Sequence, residues 1–99
     1  MRKVVYHPHV PSEIRELLAY YEEANPDLGD RFWNEIISAI EYARRFPERH
    51  HFELIGVGLR RSNLKAFPIH ILFRVFPTHI RITVARHDRR HPSFGVRRK

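Results

Sequence analysis

With 99 residues, the chain is long enough to bury one core and too short for two domains. It has no cysteine, which excludes disulfides and thiolate metal sites. No apolar run approaches the roughly 20 residues that span a bilayer, and no long apolar stretch follows the basic N-terminus as in a signal peptide. We therefore expect a cytoplasmic protein with a single domain, residues 1–99, and no membrane contact.

The formal charge of +7 is unevenly distributed along the chain. Residues 1–57 carry seven Lys or Arg against ten Asp or Glu, whereas residues 58–99 carry eleven against a single acid, Asp88. A small domain with one strongly basic half is suited to an anionic partner, either nucleic acid or an acidic protein chain.

The first predicted elements are a short strand at 4–6 and a helix that begins near Val10. Apolar residues in this helix recur at helical spacing and so lie on one face. They are Val10, Ile14, Leu17, Leu18 and Tyr21. Glu13 and Glu16 stand in the first turns, where a carboxylate complements the positive end of the helix dipole.

The dipeptide Asn25-Pro26 is predicted to end the first helix and begin a second. Asparagine is a good N-cap, and proline is favoured at the first helical position. The second helix stops at Phe46-Pro47, because the residue before a proline disfavours helical geometry. So short a link between two helices predicts an antiparallel αα-hairpin.

Three strands are predicted in the basic half, at about 58–64, 69–76 and 79–86, after an irregular connection at 47–57. Their apolar and polar residues alternate, which is typical of a sheet with one buried face. We therefore predict a two-layer α+β domain of order βααβββ, an antiparallel sheet covered on one face by the helical hairpin. The tail, 88–99, is expected on the surface or frayed.

The alternation places four polar side chains on the predicted open face of the sheet: His70, Arg74, Arg81 and His87. RNA cleavage through the ribose 2′-OH needs a base, an acid and a cation beside the phosphate. Histidine and arginine suit these roles, so the four are candidate catalytic residues. Any half-exposed sheet also carries polar residues at such positions, and the pattern leaves both interpretations open.

Further basic residues are candidates for binding nucleic acid or an acidic partner chain, two alternatives that the charge pattern does not separate. They are Arg60, Arg61, Arg86, Arg89 and Arg90. Among the eight histidines, the close pairs His7/His9 and His50/His51 lack metal-ligand spacing. We expect neither a metal nor a cofactor.

Short motifs along nearly the whole chain carry a family likeness. They are Tyr6-His7-Pro8, Tyr20-Tyr21, Asn25-Pro26-Asp27-Leu28, Gly58-Leu59-Arg60, Phe67-Pro68-Ile69-His70-Ile71-Leu72-Phe73 and Val84-Ala85-Arg86-His87. In this order and spacing the chain resembles the RelE/ParE superfamily of toxins from type II toxin–antitoxin modules, and within it the ParE branch.

The resemblance implies a first strand that returns beside the last and a cognate antitoxin bound in a hetero-oligomer. For ParE-like members it implies poisoning of DNA gyrase by binding, without catalysis. The RelE branch implies a ribosome-dependent mRNA endoribonuclease, but the sheet half here lacks tyrosine and has His70 where a RelE-like chain has arginine. A third alternative is an inactive relative that keeps antitoxin or DNA binding.

Overall fold

The computed structural model describes residues 1–99 and shows the element order βααβββ. The elements are β1 (Lys3–Tyr6), α1 (Val10–Ala24), α2 (Pro26–Arg45), β2 (Arg60–Asn63), β3 (Ile69–Val75) and β4 (His79–His87), with a 3-10 turn at Pro47–Arg49. The strands form one sheet in the order β1-β4-β3-β2. The predicted fold class is confirmed, and each predicted element lies within about two residues of its position.

The sheet is mixed, which corrects the prediction of an antiparallel one. Strands β2, β3 and β4 are antiparallel neighbours, but β1 lies parallel to β4, with Val4 beside Ile80 and Tyr6 beside Ile82. Parallel neighbours need a long crossover connection, and the chain between β1 and β4 includes the two helices. Side-chain alternation encodes which face is buried and carries no information on strand direction.

Asn25 joins the two helices as the sequence predicts. Its backbone is extended, its side-chain oxygen accepts a hydrogen bond from the backbone N–H of Asp27 at 2.8 Å, and Pro26 is the first residue of α2. This is the N-cap geometry that satisfies one of the free N–H groups at a helix start. Neither helix is long and apolar enough to cross a membrane.

The main core lies between the helical hairpin and one face of the sheet. At its centre the rings of Tyr21, Phe32 and Phe67 contact one another, with centroids 4.8–5.5 Å apart. Phe32 is fully buried, and burying a side chain of this size contributes roughly 1.5–3 kcal/mol. The hairpin is therefore held to the sheet by the apolar stripes that its sequence displays.

Strand β4 contains one more residue than the part of β3 that it pairs with. Leu72 lies opposite Val84, whereas Phe73 lies opposite Ile82, so Thr83 has no partner in the ladder. Such a β-bulge moves every later side chain of the strand to the other face, because side chains alternate with a period of two.

The bulge corrects the predicted positions in the last part of β4. His87, predicted for the face away from the helices, lies on the helix side, as does Ala85, which belongs to the main core. Val84 and Arg86 lie on the opposite face. The sequence does not reveal this, because the neighbours Val84 and Ala85 are both small and apolar and fit the alternation in either phase.

Candidate functional site

The face of the sheet away from the helices is covered, which corrects the prediction that it is open. Val96, in the C-terminal tail, packs with Leu59, Leu72 and Val84 in a second, smaller core, and Phe94 packs against them. Val96 is 8% exposed, so this part of the tail is neither frayed nor on the surface. The side chains of Phe94 and Val96 shield the apolar residues of this face from water.

Successive tight turns bring the tail against the sheet, and Gly95 is required in them. Its φ is +76°, a conformation that glycine adopts without strain. A Cβ at this position would lie 2.5 Å from Cγ2 of Val84, closer than packed carbon atoms approach. The tail therefore lies as close to β4 as the backbone permits.

Two of the predicted catalytic arginines fasten the tail to the sheet. Arg74 donates to the carbonyl oxygen of Val57 and, at 3.3 Å, to that of Arg98. Nε of Arg81 donates to the main-chain oxygen of Lys99 at 2.8 Å. Each of the two guanidinium groups thus binds main-chain oxygens of the tail, which gives both arginines a role in holding the tail on the sheet.

His70 is buried between two charged side chains. Its Nδ1 lies 2.7 Å from Oδ1 of Asp88, and its Nε2 lies 2.8 Å from Nε of Arg86. An arginine N–H can only donate, so Nε2 accepts, and the ring carries its proton on Nδ1 and donates it to Asp88. With both nitrogens engaged and 1% of the residue exposed, His70 does not reach a substrate.

Arg86 links His70 to the tail. It donates to the carbonyl oxygens of Pro92, at 3.1 Å, and Phe94, at 2.6 Å, and lies 4.0 Å from the carboxylate of Glu53. Burial lowers the pKa of Arg86, while Glu53 opposes the change. Arginine stays charged at neutral pH even so, and a buried charge needs partners of this kind.

Four charged side chains form a balanced network around His70. Arg61 bridges the two acids, 3.4 Å from Glu53 and 3.5 Å from Asp88, and Arg86 supplies the second positive charge. Neither acid was selected from the sequence. The available signal was that Asp88 is the sole acid of the basic half and follows β4 directly.

The four predicted catalytic side chains consequently do not meet in one site. His70 is enclosed, and Arg74 and Arg81 hold the tail. His87 lies on the helix side of the sheet, where its Nδ1 accepts the backbone N–H of Arg89 at 3.0 Å. No base, acid and cation from this set open together towards solvent.

The predicted partner-binding arginines differ in how far they are exposed. Arg86 is buried and Arg61 belongs to the network around His70. Arg60 donates to the carbonyl oxygen of His50 at 2.9 Å, and its guanidinium lies over the ring of Phe52, 4.1 Å from the centroid. Only Arg89 and Arg90, which follow β4, are exposed. The exposed arginines of this set therefore lie next to the end of β4 and not on a face of the sheet.

His70 predicts a pH dependence of stability. Burial lowers the pKa of His70 below 6.5, an effect that the hydrogen bond donated to Asp88 opposes. At pH values between the pKa of His70 in the folded chain and its pKa in the unfolded chain, the unfolded chain binds a proton that the folded chain does not. The stability that is present above about pH 6.5 is therefore lost as the pH falls. We expect the free energy of unfolding to decrease more between about pH 7.5 and 5.5 for the wild type than for His70→Gln.

Urea unfolding of both proteins at the two pH values measures this difference. Glutamine keeps a donor for Asp88 and an acceptor for Arg86 but does not titrate, so the other seven histidines contribute equally to both curves. Parallel losses in the two proteins would contradict the assignment of a neutral, buried His70.

Comparison with known proteins agrees with this architecture. No protein-family model matches the chain. In sequence it is similar to Toxin ParE2 from two strains of Mycobacterium tuberculosis, each 27% identical over 93 residues, which cover 93% of this chain and 87% of the relative. In fold it is similar to a chain of the chromosomal ParDE toxin–antitoxin system from P. aeruginosa, with a TM-score of 0.77 and 15% identity, over 88% of this chain and 96% of that one.

A helical hairpin packed on a four-stranded mixed sheet defines a two-layer α+β domain, a fold shared with the matched ParDE-system chain. Its relatives in sequence are ParE toxins. The chain is thus similar to ParE toxins in sequence and to a chain of a ParDE system in fold, and the resemblance drawn from its motifs is confirmed.

Proposed function

We propose that this protein is the toxin of a toxin–antitoxin module, and that it inhibits growth by binding DNA gyrase in the cytoplasm and stalling the enzyme on cleaved DNA. We propose further that a cognate antitoxin neutralises it within a hetero-oligomeric complex. The similarity to ParE toxins supports both statements, as does the ParDE system to which the matched fold belongs.

The observation that carries the proposal is that three of the four candidate catalytic side chains are committed to internal contacts. A ribonuclease needs a base, an acid and a cation that are free to touch the substrate. His70 is enclosed, and Arg74 and Arg81 bind main-chain oxygens. A toxin that acts by binding its target requires none of these groups, so the geometry favours gyrase poisoning over mRNA cleavage.

The surface proposed for an anionic partner is the exposed segment that follows β4. Arg89 and Arg90 are exposed there, and the guanidinium of Arg90 lies over the ring of Phe94, 4.1 Å from its centroid. The charge on this segment is available because no acidic side chain binds either arginine. The buried Arg86 anchors this segment, because it donates to the carbonyl oxygens of Pro92 and Phe94.

The proposal is tested in a supercoiling reaction with purified gyrase and toxin, run beside an assay of ribosome-bound mRNA. We expect linear DNA to accumulate while the mRNA stays intact, and Arg89→Ala with Arg90→Ala to weaken the trapping. Arg15→Ala with Arg45→Ala, which removes two exposed arginines from the helices, is the matched control. Intact supercoiling together with cleaved mRNA would overturn the gyrase proposal.

A further inference from the structure

A cleft of about 900 Å³ opens between α2 and the chain that runs from the 3-10 turn through β2 towards β3. One wall includes Arg31 and Tyr42 of α2, and the other includes Arg49 and Lys65. The cleft lies at the outer edge of the sheet, since β2 is an edge strand. It is separate from the second core beneath the tail, and Arg61 is the residue that it shares with the network around His70.

The lining of the cleft carries an excess of positive charge. Its lining includes four Lys or Arg side chains and a single acid, Glu35. That acid is already occupied, because its carboxylate accepts the backbone N–H groups of Lys65 and Ala66 at 3.2 and 3.1 Å. Arg31 and Lys65 are exposed and make no ion pair.

The outer edge of β2 is only half covered. The backbone N–H of Arg61 points away from β3 and donates to the carbonyl oxygen of His51 at 2.9 Å. Asn63, two residues further on, presents its backbone to the same edge because the direction repeats every two residues. Asn63 is exposed, so its N–H and C=O are available to an additional extended chain.

We propose that this cleft binds an extended, acidic segment of a partner protein, whose backbone pairs at Asn63 and whose carboxylates meet Arg31 and Lys65. The inference rests on the proposed function in taking that partner to be the cognate antitoxin. A free strand edge recognises an extended backbone, and flanking cations select acidic side chains. The combination favours a peptide over nucleic acid, which has no backbone that a strand edge pairs with.

The test measures the affinity of the cognate antitoxin for the toxin and for two charge-reversed variants. Arg31→Glu with Lys65→Glu reverses the cleft, and Arg15→Glu with Arg97→Glu makes the same change of net charge on exposed residues outside it. We expect the first pair to weaken binding by at least about tenfold, more strongly at low salt, and the second to change it little. All four positions are exposed, so circular dichroism is expected to show an unchanged fold.

Amide hydrogen exchange provides the second measurement. We expect exchange in residues 61–66 to slow in the complex, because the added chain protects the edge of β2. Equal weakening by both variant pairs, with protection elsewhere only, would overturn the inference while the antitoxin assignment stands. Absence of any binding to the wild-type toxin would overturn both. Competition by a labelled single-stranded oligonucleotide, lost in the cleft variant alone, would assign the cleft to nucleic acid instead.

Discussion

Replacing Arg86 by methionine is expected to lower the free energy of unfolding by roughly 3–5 kcal/mol, the usual cost of removing one partner from a buried charged network. The substitution leaves Nε2 of His70 and the carbonyl oxygen of Phe94 without donors. It also leaves Glu53 and Asp88 with only Arg61 to balance them. Urea unfolding near neutral pH, followed by circular dichroism, measures the change.

The matched control is Arg89→Met, which removes the same group from an exposed position in the same segment and is expected to change stability little. Arg86→Lys is expected to be more stable than Arg86→Met but less stable than the wild type, because an ammonium lacks the planar guanidinium that reaches His70 and the tail together. Similar stabilities for the methionine variants at the two positions would show that the charge of Arg86 does not stabilise the fold.

Glu13→Ala is expected to lower the free energy of unfolding by roughly 2–4 kcal/mol, since it removes the carboxylate partner of Arg98 and the acceptor of the Ala85 backbone N–H. Strand β1 ends at Tyr6, and beyond it the edge of β4 needs other partners. Oε1 of Glu13 accepts the backbone N–H of Ala85 at 3.1 Å, and its carboxylate holds Arg98 at 2.8 Å. Arg98 in turn donates to the carbonyl oxygen of Thr83 at 3.0 Å.

A double-mutant cycle with Arg98→Ala separates the ion pair from the backbone contact. We expect a coupling energy of about 0.5–3 kcal/mol, as found for residues in one network. Glu16→Ala, an exposed acid on the same helix, is the control and is expected to change stability little. Strictly additive losses at the two positions would contradict the pairing of Glu13 with Arg98.

Much of the fold could be predicted because its determinants are local. The apolar stripes of the helices and the Asn25-Pro26 junction depend on neighbours within a few residues, and both are confirmed. The β-bulge at Thr83 escaped the prediction because the side chains after it are apolar on either face. Strand direction escaped it because parallel pairing depends on the path of the whole chain.

The candidate site was predicted less well, because its determinants are distant along the chain and often lie in the backbone. The sequence correctly places His70, Arg74 and Arg81 on the face away from the helices. The residues that cover them are Phe94 and Val96, two apolar positions in a tail dominated by charge. The carbonyl groups that engage the arginines have no signature in the sequence. Glu13, expected to complement a helix dipole, binds a residue 85 positions away.

The pair formed by Glu13 and Arg98 has a kinetic consequence. A contact that closes nearly the entire chain into a loop costs the most entropy to form early, so it is expected to form after the rate-limiting barrier of folding. Interactions absent from that barrier govern how fast the native state opens and leave the speed of its formation almost unchanged. We therefore expect this ion pair to slow unfolding and so to lengthen the lifetime of the folded protein.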